Sequence, residues 1–163
     1  MFIEADSQRI KIAEMAMAGN QIIGASFLIV FMLPNFSYAA TSVPAAIILL
    51  AMYSIFFSSV LSGIWIWNSE RRGYTLGALV QFLQVPVLFT TPVSYKFVFG
   101  LEISLMFFGS SHPILIGFGG QAYLSFANTA VDTQVGINIC AVLVLLYFVS
   151  KVYRKVELNC QRM

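Results

Sequence analysis

The stretch that most constrains this chain is Val43–Trp67, VPAAIILLAMYSIFFSSVLSGIWIW, 25 residues without a charge. A helix rises about 1.5 Å per residue, so a helix of this length crosses a hydrocarbon core of about 30 Å with room to tilt. It ends in Trp65 and Trp67, amphipathic rings suited to the headgroup level, and Glu70, Arg71 and Arg72 follow directly. Aromatic belt and basic flank together stop the span and orient it.

Composition agrees. The chain is 59% hydrophobic and 10% charged, against about 25% charged residues in a soluble domain. The missing charge is a membrane signature. A net charge of +2 gives no basic footprint for nucleic acid. Without a Lys/Arg-rich block there is no polybasic lipid-binding patch either. The expected partners are the lipid bilayer and other membrane proteins, as a homo- or hetero-oligomer.

Three more segments are apolar enough to read as spans: 12–33, 75–91 and 135–150. The first contains Glu14, Asn20 and Gln21. Glu14 lies near the inner edge, one turn from Lys11, where it can reach water or pair. Ile22–Leu33 followed by Ser37-Tyr38-Ala39 also resembles a signal peptide with a cleavage site. The preceding segment is as acidic as it is basic, which speaks against that reading. The third span, 75–91, is near the lower limit of length and contains Gln81, Gln84 and Pro86. A membrane helix tolerates an internal proline where neighbours satisfy the freed carbonyl, so the helix is expected to run through Pro86 to Pro92.

Between the third and fourth spans the period changes. Tyr95, Phe97, Phe99, Leu101, Ile103, Leu105 and Phe107 alternate with residues that include Lys96, Gly100, Glu102 and Ser104. Alternation of this length indicates a strand. The turn chemistry of Gly109–Pro113 follows, and then a second alternating run through Ile114, Ile116, Phe118, Leu124 and Phe126. Two such runs around a turn predict a β-hairpin over 95–127. A helix here would instead set Glu102 at mid-membrane, at a cost of about 2.5–3.5 kcal/mol.

Basic residues give the orientation. Arg9 and Lys11 precede the first span, Arg71 and Arg72 lie between the second and third, and Lys151, Arg154, Lys155 and Arg162 follow the fourth. Lys96 alone falls in the other set of loops. Four spans therefore bring eight of the nine basic residues to the cytoplasm, with both termini. The fold class expected is a mainly α membrane protein, a four-helix transmembrane bundle with an extracytoplasmic β-hairpin between helices three and four. The plasma (inner) membrane is the expected location.

Asn20, Gln21, Ser58, Ser59, Ser62, Gln81 and Gln84 form a candidate polar layer at similar depth in three spans. Amides in hydrocarbon find one another, and interhelical hydrogen bonding needs no ligand; the rival reading is a polar substrate site. No ionisable residue sits at mid-depth in a span, which argues against a proton relay or ion pump. Ser54, Ser58 and Ser62, with Ser59 and Gly63, are small residues at a spacing that lets helices approach closely. Phe97, Phe99, Leu101, Phe118, Leu124 and Phe126 make the hairpin a candidate interaction surface. Its apolar face must meet the outer leaflet, the 35–42 loop, a neighbouring subunit or a greasy ligand, and its edges invite strand addition.

Nothing in the sequence names a reaction. His112 stands in a turn beside Ser110 and Ser111, with Glu102 and Asp132 on the same side, but without a catalytic spacing. Cys140 and Cys160 fall at opposite ends of a helix, too far apart to bridge, and neither has a metal-ligand neighbour. Gly117–Gly120, GFGG, suggests a bulge or a close backbone approach. No catalytic residue, metal or cofactor is expected. Two functions remain: a non-enzymatic accessory or interaction subunit of a membrane complex, or a small transporter, channel or carrier for an uncharged or lipophilic solute.

Overall fold

The computed structural model describes residues 2–39, 42–90, 93–109, 112–126 and 133–160. It is mainly helical, with two helices long and apolar enough to cross a membrane and a small antiparallel sheet. The first of these helices lies within α1 (Phe2–Phe31) and covers Ile10–Phe31. The second is α3 (Val43–Trp67), with a mean hydropathy of 2.1 over its apolar window. The Ser42 hydroxyl accepts the Ala45 N–H at 3.3 Å, and Pro44 occupies the first turn, where its missing N–H costs nothing. A short helix, α2 (Asn35–Ala39), leads into α3.

The third helix departs from expectation. It is α4 (Arg71–Gln84), followed by strand β1 (Pro86–Phe89). Pro86 ends the helix that the sequence suggested would continue to 91. Proline lacks the N–H that the next helical hydrogen bond needs and is tolerated as the first residue of a strand; Val85 still keeps helical dihedrals, φ −65° and ψ −51°, but its carbonyl accepts the Asn138 N–H at 2.9 Å. The fourth helix is displaced as well. Residues 134–138 form strand β4 (Gln134–Asn138), and α5 (Ile139–Cys160) starts only at Ile139. The Asn138 side chain caps α5 by accepting the Ala141 N–H at 3.2 Å. The expected hairpin is present as β2 (Val93–Phe108) and β3 (Ile114–Phe126), paired antiparallel from Val93↔Phe126 to Leu105↔Ile114.

This hairpin belongs to a four-stranded sheet with an unusual closure. On the side of β2 away from β3, β1 pairs with Ser94–Lys96 and β4 pairs with Ser104–Phe108. Both are antiparallel to β2, and they are antiparallel to each other. Neighbours in a flat sheet alternate in direction, so three mutually antiparallel strands require β2 to bend. The bend falls at Gly100, whose φ of +86° is open to glycine at little cost. The Lys96–Glu102 ion pair reports the same bend. Six residues of straight strand span about 20 Å, whereas two stretched side chains and a contact reach on the order of 14 Å. Yet Lys96 Nζ lies 3.0 Å from Glu102 Oε1.

The bent hairpin does not sit as a cap beyond the helix ends. It lies along α1. A Cβ on Gly24 would fall 2.7 Å from the Gly100 nitrogen, and one on Gly120 would fall 2.3 Å from Leu28 Cγ. Phe97 stacks on Phe56 of α3 at 5.3 Å, and Phe97 and Phe99 join Ala25, Leu28, Phe56 and Val80 in the main core. At the other end Ala18, Ile66, Tyr74 and Phe148 form a second core among α1, α3, α4 and α5. One half of the molecule is thus a four-helix bundle, and the other half is two helices with a folded sheet.

Candidate functional site

The polar residues singled out in the sequence divide into three arrangements. Gln21 and Ser62 meet at the helix seam: the Ser62 hydroxyl lies 3.1 Å from Gln21 Oε1 and 2.9 Å from the Gly73 carbonyl. A hydroxyl has one proton to donate. With Ser62 donating to Gly73, the Gln21 contact is best made by the amide nitrogen, which otherwise has no hydrogen-bond partner. Here α1 and α3 approach closely, since a Cβ on Gly63 would fall 2.9 Å from the Ala18 carbonyl oxygen. Ser59 is fully buried beside this seam and its hydroxyl has no partner. Ser58 and Ser54 hydrogen-bond back to Ser54 and Leu50 carbonyls of their own helix, at 2.7 and 2.9 Å. Of the small-residue pattern, then, Ser59, Ser62 and Gly63 pack inside the chain, while Ser54 faces outward.

Asn20 and Gln84 do something different. Between the stretches paired with β1 and β4, the centre of β2 has no strand among the described residues on its edge away from β3. Unpaired strand N–H groups need partners once water is excluded. Gln84 Oε1 accepts the Phe99 N–H and Asn20 Oδ1 accepts the Leu101 N–H, both at 3.2 Å. The Cys140 thiol faces the next N–H in the series, that of Ile103. Alternate residues of an antiparallel strand point their N–H groups the same way. Side chains from α4, α1 and α5 thus stand where a neighbouring strand would be. Asn20 lies 11 residues before the end of α1, about 16 Å along its axis, so this junction is at mid-helix depth.

Gln81 has a third role. It is 5% exposed and makes no hydrogen bond among the described residues. With Asn20 and Gln84 it lines a cavity of about 430 Å³ between α1, α4, α5 and the bend of the hairpin. Among the described residues the remaining lining is apolar or Cys140, and none of it is charged. Small-molecule sites are mostly apolar hollows of about 300–1,000 Å³ with a few placed polar groups. The amide layer therefore neither closes wholly on itself nor forms one continuous path.

The candidate interaction surface also divides. Phe97 and Phe99 are buried in the core, whereas Leu101 and Phe118 are 48% and 78% exposed. The side chains of Leu124 and Phe126 lie outside the described residues. Ile114 and Ile116 extend the exposed apolar strip, and among the described residues β3 has β2 as its one strand partner in the sheet.

Two ion pairs escape any reading by sequence spacing. On the concave face of β2, Glu102 receives both the Lys96 ammonium and the Ser104 hydroxyl, the latter at 2.7 Å, with all three residues buried. Glu14 pairs across the bundle with Lys151 at 2.7 Å and accepts the Tyr147 hydroxyl at 2.9 Å. Proximity in sequence pointed to Lys11; the fold supplies the partner 137 residues away. His112 is exposed in the turn after β2, and Glu102 is committed to Lys96 and Ser104. Ser110, Ser111 and Asp132 lie outside the described residues.

No protein-family model, curated protein or solved structure matches this chain. The class defined by the fold is a mainly helical protein with two candidate membrane-spanning helices and an antiparallel sheet built against them.

Proposed function

We propose that the chain is a four-span protein of the plasma (inner) membrane, with both termini cytoplasmic, that serves as a non-enzymatic subunit assembling through the open edge of its hairpin. Two observations support the span count. The 14 residues of α4 and four of β1 together extend about 34 Å, enough for a hydrocarbon core; β4 and α5 form a similar strand–helix unit. The contacts of Glu14 with Lys151 and of Gly73 with Trp65 also gather the basic flanks of all four units at one end.

The observation that carries the subunit reading is the outer edge of β3. It runs beside Leu28 of a candidate span, carries the exposed side chains of Ile114, Ile116 and Phe118, and has no charged residue in its length. Lipid tails offer no hydrogen bonds, so an open strand edge at that depth calls for another polypeptide. The test is purification in mild detergent followed by native mass spectrometry. A stoichiometric complex is expected, and Ile116→Pro, which deletes an edge donor, should dissolve it. A monomer at every detergent concentration would overturn the proposal.

The cavity supports the second reading, a carrier for an uncharged or lipophilic solute.

A further inference from the structure

We infer that the cavity between α1, α4, α5 and the bend of β2 is a side pocket for a membrane-dissolved lipophile with a single uncharged, oxygen-bearing head, of the fatty-alcohol, monoacylglycerol or quinone kind. The inference rests on the membrane placement proposed above and is independent of the subunit reading.

The argument starts at the floor. Gln81 is 95% buried in the sense that its exposure is 5%, and its amide has no hydrogen-bond partner among the described residues. The amide atoms of Gln81 are not fully enclosed: they open on the cavity, where a ligand can bond them. Beside it Asn20 has its oxygen engaged by the Leu101 N–H, which leaves its amide N–H groups as donors. The floor therefore presents more donors than acceptors, and an oxygen acceptor on a ligand completes it. No charged residue lines the site, so an ionised head would enter without a counter-charge, which is costly in a low-dielectric hollow.

The mouth gives the source. Leu101, Phe118 and Leu143 line the same cavity and are 48%, 78% and 62% exposed. A rim of exposed apolar side chains with a buried polar floor admits a molecule head-first from the side. At mid-helix depth that side is hydrocarbon. Gly24 and Gly100 let the backbones of α1 and β2 touch, which fixes the position of these two walls relative to each other.

The test uses the full chain in phosphatidylcholine nanodiscs with two photoreactive probes of equal chain length, a diazirine-bearing fatty alcohol and the matching fatty acid at pH 8. Adducts are mapped by peptide mass spectrometry. The alcohol should label the segments around Leu101, Phe118 and Leu143 at least fivefold more than the acid does. Gln81→Leu should lower that labelling about fivefold with the fold intact, because Gln81 supports no other group. Leu143→Trp, at an exposed rim position, should block it by volume. Equal labelling by alcohol and acid, adducts spread evenly over apolar surfaces, or indifference to both variants would overturn the site. Carbonate extraction forms a separate arm. A chain released from membranes that still labels at the cavity would refute the membrane placement and leave the pocket standing.

Discussion

Gln81 and Gln84 lie one turn apart on the same short helix, both nearly buried, and look interchangeable in the sequence. The structure makes them opposites, and replacing each with leucine measures the difference. Gln84→Leu deletes the acceptor of the Phe99 N–H at a place where neither β1 nor β4 pairs with β2. An unsatisfied buried donor costs about 1–3 kcal/mol. Part of this is returned because the Gln84 amide nitrogen is itself buried without a partner and disappears too. A net loss of about 1–2 kcal/mol is expected. Gln81→Leu breaks no hydrogen bond among the described residues and puts hydrocarbon in place of an amide that opens on the cavity, so its effect should stay within about 1 kcal/mol of zero. The assay is reversible unfolding in mixed micelles with amide hydrogen exchange at Phe99. Gln84→Leu should lower the midpoint and speed exchange at that amide; Gln81→Leu should do neither. Equal destabilisation by both variants would refute the idea that helix side chains replace a missing strand.

Three other perturbations follow from the same geometry. Gly100→Ala should abolish a folded hairpin, since its φ is +86° and a Cβ would fall 2.2 Å from the Asn20 amide; adding Asn20→Ala relieves the clash but not the dihedral, so thermal melts in detergent should show only partial recovery. Lys96→Met strands the Glu102 carboxylate in the concave face and should cost about 3–5 kcal/mol, whereas the double variant Lys96→Met/Glu102→Leu should regain most of it. A double-mutant cycle on unfolding free energy checks the pair. Lys151→Met should loosen the contact between α1 and α5 by removing the Glu14 partner, at about 1–3 kcal/mol. By contrast the exposed pair Arg72–Glu70 should respond to Arg72→Ala by less than about 1 kcal/mol.

How much of this was written in the sequence depends on the range of the interaction. Val43–Trp67 was legible to the residue because one property, unbroken apolarity, determines it. The strands β2 and β3 were legible because alternation is local. The end of α4 was misjudged at Pro86, where two rules compete and the presence of β2 and β4 as strand partners decides. The start of α5 was misjudged because Val135 and Ile137 suit either state, and pairing with β2 through Gly136 selects the strand. The polar layer was found by type but not by role. Nothing near Asn20 or Gln84 announces a bare strand edge, and nothing near Gln81 announces a hollow. The partners of Glu14 and Lys96 were invisible for the same reason: each depends on a bend or a helix contact created elsewhere in the chain.

The ring formed by β1, β2 and β4 has a bearing on how the chain is made. β1 leaves the ribosome long before β4, and the two are neighbours in the finished molecule. Until the last segment arrives, Ser104–Phe108 lacks its second strand partner and the Ile103 N–H lacks the Cys140 thiol. Completion of the sheet must therefore wait for β4, and a nascent chain stopped at residue 130 would hold an unfinished one. Contacts over such separations form slowly, so the joining of β1 to β4 is a late event in folding.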